Sequence, residues 1–88
     1  MKHAKTTDEI AADFGQHIKD LRLRQNLKQT EVAEQAGVAL GALKNLELGK
    51  GATVKTLIKV LRTLDRLDWL STIAPTVSIS PLQMIKCQ

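Results

Sequence analysis

The stretch Gln29-Thr-Glu-Val-Ala-Glu-Gln-Ala-Gly37-Val-Ala-Leu-Gly-Ala-Leu-Lys-Asn-Leu-Glu-Leu48 has the spacing of two short helices joined by a sharp turn. Gln29 to Ala36 reads as a two-turn helix with Val32, Ala33 and Ala36 inward. Gly37 ends it, because a glycine just past the last periodic residue takes the left-handed conformation without a Cβ penalty. Ala39 to Leu48 reads as a second short helix with Leu43 and Leu46 inward, stopped by Gly49-Lys50-Gly51. Ala33 is small where the first helix must let the second cross closely, and Val32, Ala36, Val38, Leu43 and Leu46 lock the pair. A chance amphipathic hairpin would satisfy one or two of these requirements, whereas here they are met together, which points to a helix-turn-helix.

The flanking segments supply the rest of a helical domain. Thr6-Thr7-Asp8-Glu9 reads as a helix start, since the Thr6 hydroxyl and the Glu9 carboxylate can cap orphan amides reciprocally. From there Ile10, Phe14, Ile18 and Leu21, with Ala11 beside them, recur at helical spacing to about Arg24 or Gln25. Gly15 inside that helix costs about 1 kcal/mol against Ala, which marks a close helix contact. Arg22 follows Ile18 by one turn, so a charge sits at the edge of the buried face and needs a partner there. Downstream, Thr53 caps a longer helix bearing Val54, Leu57, Ile58, Leu61 and Leu64. Asp65-Arg66 breaks it, Leu67 to Ile73 forms a last short helix with Trp69 and Leu70, and Pro75 closes the helical region. Thr76-Val77-Ser78-Ile79-Ser80 alternates apolar and polar with a strand period, bounded by Pro81. A lone strand in an all-helical domain is either disordered or pairs with another chain.

Ile18-Lys-Asp-Leu-Arg22-Leu-Arg-Gln-Asn-Leu-Lys-Gln29, continued through Ala33, Gly37 and Leu46-Glu47-Leu-Gly49-Lys50, resembles the Cro/CI (XRE) family of DNA-binding helix-turn-helix proteins over about residues 10–73. The resemblance implies an all-α, five-helix, lambda repressor-like domain at residues 1–73, whose third helix enters the major groove. It implies double-stranded operator DNA as partner and a homodimer on a palindromic site. An Arg on helix 1 commonly pairs with a Glu after helix 3 in that family, and Arg22 and Glu47 hold those places, which makes Arg22 structural rather than DNA-contacting. Gln29 matches a glutamine that touches the phosphate backbone, and Thr30 follows it at the same helix start.

Two departures from the family stand out. Lys28 replaces the usual Thr cap, losing a cap and gaining a phosphate-seeking charge. Helix 3 carries Ala39-Leu40-Gly41-Ala42 where polar residues are usual, so base readout leans on Lys44 and Asn45. Lys can donate to guanine, Asn can pair with adenine, and Ala39 or Leu40 can cover thymine methyls. Gly41 would let DNA approach the helix backbone closely. So few base-reading groups leave much of the affinity to phosphate contacts from Lys28, Gln29, Thr30, Lys50 and Lys55, with Lys59 as a further candidate, and binding should fall steeply with salt.

The charge distribution agrees with that division. The 88 residues hold 13 Lys plus Arg against 9 Asp plus Glu, a net +4 that permits a polyanionic partner without demanding one. The excess lies in two blocks, +3 over 19–28 and +4 over 44–62, separated by Glu31 and Glu34. Brought together by the fold they make a phosphate-binding footprint; kept apart they are solvated helix faces.

The C-terminal part, 74–88, is a candidate for dimerisation or partner binding. Leu67, Trp69, Leu70 and Ile73 are more apolar than a small monomer needs on its surface, and Val77 and Ile79 could pair across a twofold axis. Trp69 can fill the core, line the interface, or do both. A Cro/CI domain followed by such a tail also looks like the repressor and antitoxin subunits of HipA-kinase-type toxin-antitoxin modules, which bind operator DNA and hold a toxin protein.

Other classes find no support in the residues. His3 and His17 stand without a Cys or paired carboxylates at metal spacing, and no Gly-rich phosphate loop occurs, so neither catalysis nor a metal or other cofactor is expected. Cys87 reads as a bystander thiol, and a single Cys excludes an internal disulfide. No apolar run approaches the roughly 20 residues of a membrane span, and a cytoplasmic protein is expected. Two function classes remain: a sequence-specific repressor, and an antitoxin-like or adaptor-like interaction module.

Overall fold

A computed structural model describes residues 5–73 of the chain. In chain order α1 spans Thr7–Arg24, α2 Gln29–Ala36, α3 Leu40–Leu48 and α4 Val54–Thr63, followed by a 3-10 turn at Leu67–Leu70. No strand occurs among the described residues, in keeping with the all-α class. The expectations for His3, for Val77 and Ile79 in the 76–80 segment, and for Cys87 lie outside the described residues.

Local chemistry sets the helix ends. Thr6 Oγ1 accepts the Glu9 amide at 3.1 Å and Glu9 Oε1 accepts the Thr6 amide at 2.8 Å, the reciprocal cap expected from the sequence. At Lys28 only the reverse half exists, with the Lys28 amide donating to Glu31 Oε1 at 2.7 Å, because an ammonium accepts nothing. Gly37, at φ 73°, turns the chain out of α2 with its amide on the Ala33 carbonyl at 2.9 Å. α3 starts at Leu40, one residue later than expected, with Ala39 in the capping position and no side chain to cap it. Thr53 Oγ1 accepts the Thr56 amide at 3.0 Å and starts α4.

The last helix differs from expectation. Asp65 adopts φ 63°, and the Arg66 amide reaches back to the Leu61 carbonyl at 2.8 Å, which closes α4. The chain then winds as a 3-10 turn, not an α-helix, with Trp69 to Arg66 and Ser71 to Asp68 bonds of 3.1 Å. Three residues per turn place Leu67 and Leu70 above one another, so both reach the core within one short segment.

The core comprises Ile18, Val32, Ala33, Leu43, Leu46, Val60, Leu61, Leu64 and Leu70, drawn from every element. α1 packs most extensively against α3, and Gly15 is the reason it can. A Cβ there would come within 3.0 Å of the carbonyl group of Glu47 and of the carbonyl oxygen of Leu46. Gly49, at φ 79°, likewise lies against the backbone of Ala12. The two backbones therefore touch at both places, which turns Gly15, Ile18 and Arg22 inward. Ile10 and Phe14 consequently fall to the side and are exposed, contrary to the apolar stripe expected from spacing. Val54, the first residue of α4, is exposed as well, while Val60 takes a core place that the sequence pattern did not single out.

Candidate nucleic-acid interface

α3 turns Leu43, Leu46 and Glu47 into the domain, and the helical period then sends Gly41, Lys44, Asn45 and Leu48 outward. Of the expected base-reading positions, Ala39, Gly41, Lys44 and Asn45 are exposed, while Leu40 is half-buried and packs against the core. Of the expected phosphate-contacting positions, Lys28, Thr30, Lys50 and Lys55 are exposed. Gln29, the first residue of α2, is half-buried, because its amide turns inward.

Its partner belongs to a buried polar cluster. Arg22 and Glu47 are each 6% exposed. Arg22 Nε donates to Glu47 Oε2 at 2.7 Å and Nη2 donates to Oε1 at 3.1 Å, a fork that fixes both groups in plane. Arg22 Nη1 donates to the Leu27 carbonyl at 2.8 Å, tying in the connection before α2. Gln29 Nε2 donates to Glu47 Oε1 at 2.9 Å. No buried side-chain nitrogen or oxygen among the described residues is left without a partner. One cluster thus joins α1, the start of α2 and the end of α3, and Arg22 has the partner its place on the buried face required.

Beside this cluster lies a solvent-open groove of about 190 Å³ between α1 and α3, lined by Gln16, Lys19, Gln29, Lys44, Glu47 and Leu48. Sequence reading assigned no role to Gln16 or Leu48, and placed Lys19 only within the basic block 19–28. The available signal was the place of Gln16 and Lys19 one turn apart on α1, but only the packing of α1 on α3 carries them to Lys44. Among the described residues no group of His, Cys, Asp or Glu could hold a metal ion, and no helix is long and apolar enough to cross a membrane.

The expected dimerisation residues are distributed unevenly. Leu70 is buried in the core, Leu67 and Trp69 are half-buried against it, and Ile73 is 80% exposed. The Arg66 guanidinium lies 5.6 Å from the Trp69 ring centroid, covering part of the indole.

Comparison with known proteins bears on this arrangement directly. Residues 18–70 match a family described as helix-turn-helix. The chain belongs to the Cro/CI (XRE) helix-turn-helix family. Over 54 residues it is 43% identical to an uncharacterized HTH-type transcriptional regulator, y4mF, of Sinorhizobium fredii (strain NBRC 101917 / NGR234), an alignment covering 60% of this chain and 71% of that protein. Family membership makes the chain a DNA-binding transcriptional regulator with double-stranded DNA as partner.

Proposed function

We propose that the chain is a sequence-specific repressor that binds a palindromic operator as a homodimer, with α3 in the major groove. The observation that carries this reading is the outward face of α3: Gly41, Lys44 and Asn45 are exposed on a helix whose opposite side is locked into the core. Lys44 and Asn45 read base edges, Ala39 and part of Leu40 meet thymine methyls, and Gly41 admits the duplex. Lys28, Thr30, Lys50 and Lys55 take phosphates around that helix, and Gln29 offers the amide hydrogen that Glu47 leaves free. α2 has no side-chain cap, so its first amides also suit a phosphate. The experiment compares binding to the promoter region of the protein's own gene with binding to scrambled DNA at two salt concentrations. Tighter binding to the promoter DNA is expected, and equal affinity would overturn sequence specificity.

The homodimer rests on Ile73, which is 80% exposed, on the half-buried Leu67 and Trp69, and on the apolar alternation of Val77 and Ile79. Sedimentation equilibrium of the full chain and of a version ending at Ile73 checks it. A monomeric mass for the full chain would remove the twofold arrangement.

A second reading, an antitoxin that neutralises a HipA-kinase-like partner and autoregulates its operon, is favoured by the sparse polar content of α3, where Ala39, Gly41 and Ala42 offer no side-chain hydrogen bond. Co-expression with the product of the adjacent gene tests it. A stable complex that inhibits that product supports the reading, and two proteins that elute separately sink it.

A further inference from the structure

We propose that the exposed apolar stripe of α1, Ile10 and Phe14, is covered by the C-terminal segment of the same chain, with Val77 and Ile79 as the residues that sit on it; this stands apart from the operator reading. Ile10 is 56% exposed and Phe14 36% exposed, and neither is among the apolar residues packed against the core. One helical turn apart, they form a single stripe. The carboxylates beside it are already engaged, Asp13 with Lys5 and Glu9 with the Thr6 amide, so covering the stripe leaves neither of them without a partner.

The size of the stripe selects its occupant. Two such side chains present on the order of 200 Å², against the roughly 800 Å² per partner of a stable association between separate molecules. A stripe that narrow holds a tethered segment, which meets it at the high local concentration a short linker imposes, and does not by itself hold a free subunit. Its spacing suits an extended chain, because four helical residues rise about 6 Å and two extended residues advance about 6.6 Å. Thr76-Val-Ser-Ile-Ser80 has that pattern, with Val77 and Ile79 on one side and the polar residues on the other. The point of departure agrees. The Ile73 amide donates to the Leu70 carbonyl at 3.1 Å, Leu70 shares the buried cluster with Ile18, and Phe14 lies one turn of α1 from Ile18. The six residues from Ile73 to Ile79 span at most about 20 Å, more than the about 12 Å of α1 between Ile18 and Ile10. Seated by its apolar side, the segment keeps a backbone edge open, so pairing across a twofold axis is not blocked and gains the helix support that two strands alone lack in water.

The test uses the full chain with Cys87→Ser as background and two pairs of substitutions, Phe14→Cys with Ile79→Cys and, as control, Gln16→Cys with Ile79→Cys. Gln16 is exposed and stands about 200° around α1 from Phe14, so the two pairs differ in helix face and hardly in reach. Under mild oxidation the first pair is expected to close within one chain, running as a monomer without reductant, at least roughly tenfold faster than the control. Equal rates for the two pairs overturn the proposal. So does a covalent dimer as the main product of the first pair, because a second copy's segment would then occupy the stripe. Melting temperatures of Phe14→Ser, Ile79→Ser and the double variant give an independent reading. Each single substitution should lower Tm, and the double variant should lose less than both shifts together, since either change alone already removes the contact. Additive shifts would show that the two residues do not meet.

Discussion

Gln29 Nε2 donates at 2.9 Å to the same Glu47 oxygen that receives Arg22 Nη2 at 3.1 Å. The first residue of α2 is thereby held by a carboxylate that α3 buries and α1 neutralises, so the core and the DNA-facing side share one polar cluster. Removing one partner of such a pair leaves an uncompensated buried charge. Glu47→Ala is expected to destabilise the fold by about 3–5 kcal/mol, read by urea denaturation. Replacing both Arg22 and Glu47 with apolar residues of similar volume should recover most of that loss. A Glu47→Ala protein of unchanged stability would contradict the account.

Gly15 and Gly41 both lie inside helices and should respond oppositely to alanine. At Gly15 the added methyl meets the carbonyl groups of Leu46 and Glu47, which belong to backbone and cannot swing aside. Gly15→Ala should lose about 1–3 kcal/mol despite the better helix former. At Gly41 nothing lies within 4 Å, and Gly41→Ala should gain up to about 1 kcal/mol. Because that methyl stands on the outward face of α3, the same variant should bind operator DNA more weakly while its salt slope stays constant. Thermal melts and binding isotherms on the same samples check both halves.

Asp65 and Asn26 take positive φ, 63° and 59°, where a Cβ is unfavourable. Asn tolerates that region better than most residues, so Asp65→Asn is expected to raise stability by a few tenths of a kcal/mol and Asn26→Ala to lower it by about 1 kcal/mol. Denaturant midpoints at a common slope decide the matter.

Base-reading and phosphate-contacting side chains should separate in a mutant series. Asn45→Ala is expected to relax discrimination at particular base pairs by about 1–3 kcal/mol. Lys50→Ala should weaken all sequences alike and make the salt dependence shallower by about one phosphate contact. Competition with single-substitution operators distinguishes the two patterns.

Much of the fold was legible before any coordinates. The Thr6 and Thr53 caps and the glycine stops at Gly37 and Gly49 lie where the residues themselves demand them, because capping and left-handed turns involve neighbours within a few positions. The helix pair Gln29–Ala36 and Leu40–Leu48 was readable for the same reason. Helical period alone could not say which apolar residues would be covered. Ile10, Phe14 and Val54 follow the pattern and stay exposed, while Val60 is buried. Coverage depends on the rotation of each helix against its neighbours, which no local window contains.

By itself, then, the sequence determined the helices, their ends and the outward place of Lys44 and Asn45, since each follows from short-range chemistry and a 3.6-residue period. Tertiary structure alone decided that Gln29 reaches Glu47, 18 residues away, and that Lys19 and Lys44 line one groove. Both follow from the close approach of α1 to the end of α3, which the absence of a side chain at Gly15 and at Gly49 allows.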